Sequence, residues 1–247
     1  MAGHSKWNNI KRRKGAQDAK KGKIFTKMGR EIQVAVKEGG ENPDQNKRLA
    51  DAIEKAKSYN MPNDSIKRSI KRASDASNTE DFEAITYEGY GPNGVAVIVN
   101  ALTDNRNRTA GNIRHIFSKH NGNLGQNGSV SFLFEEKGEI YLEAENLNDE
   151  ELMMLALEAG AEDIKKIDEA YLVVTSPESY ADVKNTLSAA DLEIVESSVG
   201  PVAMTTVELD ESDAEIMQKL IDDLEDDDDV QDVYHNWEQD DEEEEEA

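Results

Sequence analysis

The sequence predicts a mixed α/β (α+β) protein, in which an N-terminal helical bundle precedes two ferredoxin-like α/β domains, one inserted into the other. Three observations lead to this prediction. Apolar residues recur at helical spacing in the first third of the chain. Strand-like and helix-like segments alternate after Glu80. Within residues 139–198 their order is βαββαβ, which is the order of a ferredoxin-like unit.

The helical bundle is predicted from three periodic segments. Apolar residues between Ile24 and Val36 form the first, which Gly39-Gly40 ends. The second segment follows Pro43, and the third follows the break at Met61-Pro62. The polar residues 74–80 are the predicted linker to the rest of the chain.

The remainder of the chain is predicted to contain nine strands and four helices. The predicted strands are residues 82–90, 94–103, 129–136, 139–145, 162–167, 170–176, 192–198, 202–209 and 229–236. The predicted helices are residues 106–120, 148–159, 178–190 and 212–225. A second βαββαβ order arises if residues 94–136 are joined to residues 202–236, so the middle unit is predicted to be inserted into its neighbour.

This order sets the predicted domain boundaries. They are a basic helical domain with a mobile N-terminal arm (1–78), a discontinuous α/β domain (79–136 plus 201–238), an inserted ferredoxin-like domain (137–200) and a disordered acidic tail (239–247). The order of the elements also leaves two sequential domains open as an alternative.

The composition excludes several classes of protein. The chain has 247 residues, no cysteine and a formal net charge of -25. Because disulfides and thiolate chemistry need cysteine, both are excluded, and a reducing compartment fits. The longest clean apolar run, Val95–Val99, is far too short to span a membrane, and the N-terminus has no apolar signal region. We therefore predict a cytoplasmic protein with no membrane partner.

The charge is divided unequally along the chain. Residues 1–75 contain 19 Lys and Arg against nine Asp and Glu, whereas residues 76–247 contain nine against 44. The asymmetry is sharpest in residues 1–30, where only Asp18 opposes ten basic residues. Such a division favours a module that contacts nucleic acid, joined to an acidic body. The alternative interpretation is a solvated basic face without a ligand.

The predicted nucleic-acid contacts are concentrated in this basic segment. Lys and Arg supply charges and forked donors for phosphates, and Trp7 could stack on a base. Lys23, Lys27 and Arg30 follow at helical spacing, which predicts a basic stripe on one helix. The predicted contacts are His4, Lys6, Trp7, Lys11, Arg12, Arg13, Lys14, Lys20, Lys21, Lys23, Lys27 and Arg30.

A possible secondary contact lies in the acidic part of the chain. Arg106 and Arg108 stand at the start of a predicted helix, and the polar, Gly-rich loop 123–128 follows that helix. Both features could meet phosphate or RNA. A capped helix followed by an ordinary loop explains them at least as well.

The remaining motifs give no reason to predict an enzyme. Gly89–Gly94 matches G-x-G-x-x-G, but a strand follows it where a dinucleotide site needs a helix, which favours a hairpin. The four histidines form no i, i+4 pair and no H-E-x-x-H motif, and no P-loop or nucleophile elbow is present. We predict a non-enzymatic protein with no cofactor, no metal and no evident small-molecule substrate. The oligomeric state stays open.

Several longer motifs make the chain resemble the YebC/PmpR family. They lie at residues 1–7, 10–18, 37–40, 60–62, 87–92, 102–109 and 121–128. The resemblance implies a helical N-terminal domain followed by two α/β domains. It also implies a bacterial, cytoplasmic, probable transcriptional regulator that binds DNA. The family's mitochondrial relatives resemble translational activators of cytochrome c oxidase subunit I, and some bacterial relatives are associated with the ribosome and with relief of stalling at proline-rich stretches.

Three functional hypotheses follow. The first is a DNA-binding transcriptional regulator, and the alternative is a ribosome-associated translation factor that binds ribosomal RNA and relieves stalling. The basic residues provide phosphate contacts, which position a protein on either nucleic acid without reading its bases. A protein-interaction scaffold built on the two ferredoxin-like units is the third hypothesis.

Overall fold

A computed structural model describes Trp7, Ile10, Lys11, Ser77 and residues 18–75, 81–144, 148–167 and 169–239. These residues form two compact units. The bundle unit contains residues 18–131 and 209–235. The ferredoxin-like unit contains residues 132–208, together with residues 236–239 and the three described residues near the N-terminus. The predicted boundaries of three domains stay a prediction.

Three helices form the N-terminal part of the bundle unit: α1 (Asp18–Gly39), α2 (Lys47–Ser58) and α3 (Asn63–Ser74). Their apolar faces share one core, which includes Ile32 of α1, Leu49 of α2 and Ile66 of α3. Asn46 connects the first two helices. Its side-chain oxygen accepts a hydrogen bond from the Leu49 N–H at 3.1 Å, and its Nδ2 donates to the Ala35 carbonyl at 2.7 Å. This buried amide both begins α2 and fixes it against α1.

The sheet of the bundle unit has four antiparallel strands. They are β1 (Glu83–Tyr90), β2 (Ala96–Thr103), β3 (Asn123–Leu124) and β8 (Val230–His235), in the order β3-β1-β2-β8. Two helices, α4 (Arg106–Lys119) and α7 (Glu211–Asp226), pack on this sheet. Tyr90 pairs with Ala96 across the turn between β1 and β2. The predicted hairpin is therefore confirmed, and the glycine motif does not begin a helix of the dinucleotide-binding type.

The ferredoxin-like unit has the predicted βαββαβ order. Its elements are β4 (Phe134–Glu143), α5 (Asp149–Ala159), β5 (Asp163–Ile167), β6 (Ala170–Thr175), α6 (Tyr180–Ala189) and β7 (Ile194–Ala203). All strand pairs are antiparallel, in the order β5-β6-β4-β7. Apolar side chains of β4 and β6 pack with Leu152 of α5 and Val183 of α6 in one core.

Two strands of this unit are longer than predicted. The segments expected at 129–136 and 139–145 contribute to one strand, β4, and those at 192–198 and 202–209 contribute to β7. Gly138 lies in the gap between the first two of these predicted strands, but it pairs with strands on both sides, and a Cβ there would lie 2.7 Å from Tyr180. Pro201 is tolerated because β7 is an edge strand, where a missing N–H breaks no second ladder.

The prediction of a second βαββαβ unit from residues 94–136 and 202–236 is wrong in its strand composition. Beyond β7, Val207 forms only an isolated bridge with Trp237, so residues 202–209 add no strand to the first sheet. The position next to β2 is taken by β1, which pairs with β2 along all eight of its residues. A local hairpin thus replaces the long-range strand that the sequence pattern predicted.

Candidate nucleic-acid interface

Trp7 and Ile10, from the predicted mobile arm, are packed in the core of the ferredoxin-like unit. Trp7 is 6% exposed and stacks on Tyr141 of β4, with ring centroids 5.9 Å apart and an interplanar angle of 9°. Ile10 is buried in the same apolar cluster. At these two residues the structure differs from a mobile arm. Base stacking by Trp7 would require its indole to leave this packed position.

The burial of Trp7 has a physical cause in the sheet. Ile140, Tyr141 and Leu142 are consecutive residues of β4, and all three are fully buried. Because successive side chains of a strand point to opposite faces, both faces of the sheet need a cover. Ile140 and Leu142 pack in the core with α5 and α6, whereas Tyr141 packs with Trp7 and Ile10.

Most of the other predicted contacts in the basic segment cannot be placed. His4, Lys6, Arg12, Arg13, Lys14 and the side chain of Lys20 lie outside the described residues. Lys11 is exposed, and its Nζ lies 3.7 Å from an oxygen of Glu169. Such a pair on the surface adds little stability and is screened by salt. Lys21 is an exposed residue in the first part of α1.

The predicted stripe of Lys23, Lys27 and Arg30 exists on α1, but it faces the acidic end of α7. The Lys23 ammonium lies 2.6 Å from a carboxylate oxygen of Asp226. The Lys27 ammonium donates to the Glu225 carbonyl at 2.6 Å. Carbonyl groups at a helix C-terminus carry partial negative charge, so cations are favoured there. Internal oxygens therefore occupy the positions that phosphates were predicted to take.

Asp229, just beyond α7, is the centre of a buried ion cluster. It is 3% exposed, and its carboxylate lies 2.8 Å from both the Arg30 and the Arg108 guanidinium. The Thr109 hydroxyl donates to it at 2.6 Å, and the Thr103 hydroxyl at 3.3 Å. Burial by itself raises the pKa of Asp229, but the hydrogen bonds from Thr109 and Arg108 and the two positive charges outweigh burial and lower it. The cluster connects α1, α4 and the end of β2.

The two arginines of the predicted secondary contact differ in their surroundings. Arg108 lies 2.7 Å from Asp104 and 2.8 Å from Asp229, and hydrogen bonds to these carboxylates raise its pKa above the ordinary value. It therefore acts as a structural partner of the ion cluster. Arg106 is exposed and lies 3.8 Å from a carboxylate oxygen of Glu83. Asn105 caps α4 by accepting the Arg108 N–H at 3.1 Å, as the sequence indicated.

The Gly-rich loop after α4 is held by an internal carboxylate. Glu88 of β1 is buried and accepts backbone N–H groups from Gly128, Val130 and Ser131 at 2.7, 2.8 and 2.9 Å. Burial by itself raises the pKa of Glu88, but the hydrogen bonds from these amides outweigh burial, so the net pKa is below the ordinary value. Within the predicted loop 123–128, the Gly128 amide therefore already binds a carboxylate, as do the amides of Val130 and Ser131 just after the loop.

A basic face on α3 was not among the predicted contacts. Lys67, Arg68 and Lys71 are exposed, and none is in an ion pair with a carboxylate of the described residues. At 100° per residue they share one side of α3, away from Ile66 and Ile70, which face the bundle core. The signal was the K-R-x-x-K-R spacing itself, which places basic residues over successive turns of one helix.

Other kinds of site were also sought in the part of the chain that the structure describes. No three His, Cys, Asp or Glu side chains there are grouped so as to hold a metal ion. None of the helices described above is both long enough and apolar enough to cross a membrane.

Comparisons with known proteins cover nearly the whole chain. The TACO1/YebC N-terminal domain matches residues 5–76, and the TACO1/YebC second and third domain matches residues 82–237. Proteins of Hathewaya histolytica and Clostridium botulinum, each named a probable transcriptional regulatory protein, are 56% identical to it over 96% of this chain and 97% of theirs. The crystal structure of a conserved hypothetical protein from Aquifex aeolicus superposes with a TM-score of 0.82 at 46% identity, covering 90% of this chain and 91% of that one.

Proposed function

The chain belongs to the TACO1/YebC family, and from this premise we propose that it is a non-enzymatic regulator of gene expression that binds DNA. The names of its relatives support the regulatory role. The observation that carries the proposal of binding is the face formed by Lys67, Arg68 and Lys71. These cations are exposed, and none forms a salt bridge with a carboxylate of the described residues, in a chain with a net charge of -25. Their internal contacts lie within or next to α3: Arg68 donates to the Asp64 carbonyl and the Ser65 hydroxyl. Hydrogen bonds from Ser77 and, to a smaller extent, the charge of Lys71 lower the pKa of Asp75.

Phosphate contact is the chemistry that this face supports. Lys67 and Lys71 are four residues apart, which is about 6 Å along the helix axis. Two nucleotide steps of a duplex strand rise by a similar distance, about 7 Å. Lys and Arg on such a face neutralise neighbouring phosphates, whereas the acidic remainder of the chain repels a polyanion. Binding is thereby restricted to the basic surfaces.

The proposal also keeps most of the contacts predicted in the N-terminal segment. Those retained as direct contacts are His4, Lys6, Lys11, Arg12, Arg13, Lys14, Lys20 and Lys21, with Arg106 as a secondary contact. Trp7 receives a structural role because its indole is buried against Tyr141. Lys23, Lys27, Arg30 and Arg108 hold oxygens of the chain itself and are assigned to positioning α1 and α4.

The test is the double variant Lys67→Glu/Lys71→Glu in the full chain. Fluorescence anisotropy with a labelled DNA duplex at low salt is expected to show binding at least tenfold weaker, because two favourable phosphate contacts become repulsive, each worth about 0.5–1 kcal/mol or more. Lys219→Glu is the matched control, since Lys219 is an exposed residue on α7 that already pairs with Glu215. The affinity of this variant for the duplex is expected to stay within about twofold of that of the unaltered protein. Affinity that is insensitive to salt or to the double variant would contradict the proposal.

Ribosomal RNA is the second candidate target. The exposed basic side chains of α3 are of the types that contact phosphate in DNA and RNA alike, and phosphate contact alone carries no base preference. If ribosomal RNA is the target, the unaltered protein should sediment with purified ribosomes at moderate salt, whereas the Lys67→Glu/Lys71→Glu variant should stay in the supernatant. Absence of the unaltered protein from every ribosomal fraction would remove this candidate and leave DNA.

A further inference from the structure

We propose that α5 of the ferredoxin-like unit carries a docking surface for a basic amphipathic helix of a partner protein. The surface, termed here the methionine face, consists of Met153, Met154 and Leu157. Their exposed fractions are 48%, 64% and 49%. This proposal uses no residue of α3 and holds whichever nucleic acid the protein binds.

The three side chains form one continuous apolar patch. At 100° per residue, Leu157 stands one turn beyond Met153 and three residues beyond Met154, so the three are neighbours on the helix surface. The opposite side of α5 is already used, because Leu152 and Ala156 are buried in the core with β4 and β6. The methionine face is therefore not needed to hold the helix in the fold. Grouped exposed apolar residues of this kind are typical of interaction sites, whereas single ones are ordinary.

The charges around the patch define the partner. Glu150, Glu151 and Glu158 lie on the exposed part of the same helix, and none is in an ion pair with a residue of the described chain. Asp149 differs, since it accepts a hydrogen bond from the Tyr171 hydroxyl and lies 3.9 Å from the Lys166 ammonium. Helix α5 contains no Lys or Arg. An apolar patch with an uncompensated acidic border is complementary to a ligand with apolar and cationic groups side by side.

Other occupants fit this pattern less well. Two copies of the methionine face placed together would bring their glutamates against each other, which like charges disfavour. An anionic lipid surface would be repelled for the same reason. A basic helix with apolar residues at i, i+3, i+4 and i+7 places its leucines on the patch and its lysines beside the glutamates. Unbranched methionine adapts to the shape of such a ligand, so the surface tolerates different sequences of this type.

The test measures binding of a fluorescent Leu/Lys peptide to the full-length chain. The peptide has about 18 residues, which form five helical turns with leucine on one face. Fluorescence anisotropy is expected to show binding that Met154→Gln/Leu157→Gln weakens at least about tenfold, since two apolar contacts are lost. Glutamine favours a helix nearly as well as methionine, so α5 is expected to stay folded. Met204→Gln is the matched control, because Met204 is also more than half exposed but lies beyond β7, and it should change affinity by less than about twofold.

Two further measurements make the result specific to this surface. A scrambled peptide of the same composition and a Leu/Glu peptide should both bind at least about tenfold more weakly, because the apolar face or the charge match is missing. In a spectrum of methyl-labelled methionines, the peptide should shift the signals of Met153 and Met154 while leaving those of the buried Met28 and Met217 in place.

Three results would overturn the proposal. The first is unchanged affinity of Met154→Gln/Leu157→Gln with normal circular dichroism, and if the double variant unfolds, Met154→Gln alone decides. The second is equal binding of the scrambled or the Leu/Glu peptide. The third is self-association of the unaltered chain that this variant abolishes in sedimentation, which would assign the methionine face to a second copy.

Discussion

Asp229→Ala removes the carboxylate at the centre of the buried ion cluster. The guanidinium groups of Arg30 and Arg108 then lose the negative charge that they share and repel each other. Removing one partner of a buried ion pair costs about 3–5 kcal/mol. The lower end applies here, because the side chain of Arg30 is 17% exposed and that of Arg108 is 45% exposed, so water screens part of the remaining charge. Arg108 also keeps Asp104 as a partner. We therefore expect a loss of about 3 kcal/mol in the free energy of unfolding.

Urea unfolding followed by far-ultraviolet circular dichroism measures this loss. With a slope of about 2 kcal/mol per molar urea, 3 kcal/mol lowers the unfolding midpoint by about 1.5 M. Both tryptophans, Trp7 and Trp237, belong to the ferredoxin-like unit, so their fluorescence reports that unit separately. Asp228→Ala is the matched control, because it removes the same charge at an exposed neighbouring position and should cost less than about 0.5 kcal/mol. Equal urea midpoints for Asp229→Ala and Asp228→Ala would refute the claim that the buried ion cluster stabilises the fold.

Two other predictions concern single side chains. Because the pKa of Glu88 is lowered in the folded protein, ionised Glu88 stabilises the fold above the ordinary pKa of about 4.3, and this effect is lost as the pH falls through the folded pKa. The difference in free energy of unfolding between the unaltered protein and Glu88→Gln, measured by urea titration, should therefore narrow below about pH 4. A difference that is constant between about pH 3 and 7 would contradict this. Trp7→Ala should lower the free energy of unfolding by about 3 kcal/mol, which is seen as a lower melting temperature. Trp7→Phe should cost about half as much, because it keeps an aromatic ring against Tyr141. An unchanged melting temperature for Trp7→Ala would mean that the indole is not part of the core.

The sequence was informative wherever local patterns determine structure. The helices of the bundle, the hairpin at Gly89–Gly94 and the βαββαβ order all follow from periodicity, capping and turn residues, which act over a few neighbours. The two long strands were missed because Gly138 and Pro201 normally signal breaks. Whether a glycine interrupts a strand depends on the side chains that pack over it, and these come from distant parts of the chain.

The candidate site was harder to predict, since charge counted along the chain does not show which charges meet. The spacing of Lys23, Lys27 and Arg30 was identified correctly, but their partners lie about 200 residues away at the end of α7. No local signal connects the two segments. Burial of Trp7 was likewise hidden, although three successive apolar residues in β4 indicated that both faces of that sheet are covered.

The contacts between α1 and the end of α7 also affect how the protein responds to ionic strength. Lys23 and Arg30 are paired with carboxylates of the same polypeptide, and Lys27 donates to a backbone carbonyl. None of the three can bind a phosphate through these contacts without first giving up an internal partner. Each phosphate that a protein neutralises on duplex DNA releases condensed cations and adds about 0.9 to the slope of log affinity against log salt. A count of basic residues along the chain therefore overstates this slope by about 2.7 for these three side chains. For the proposed binding to DNA, we therefore expect a slope that reflects only the basic side chains without a partner inside the fold.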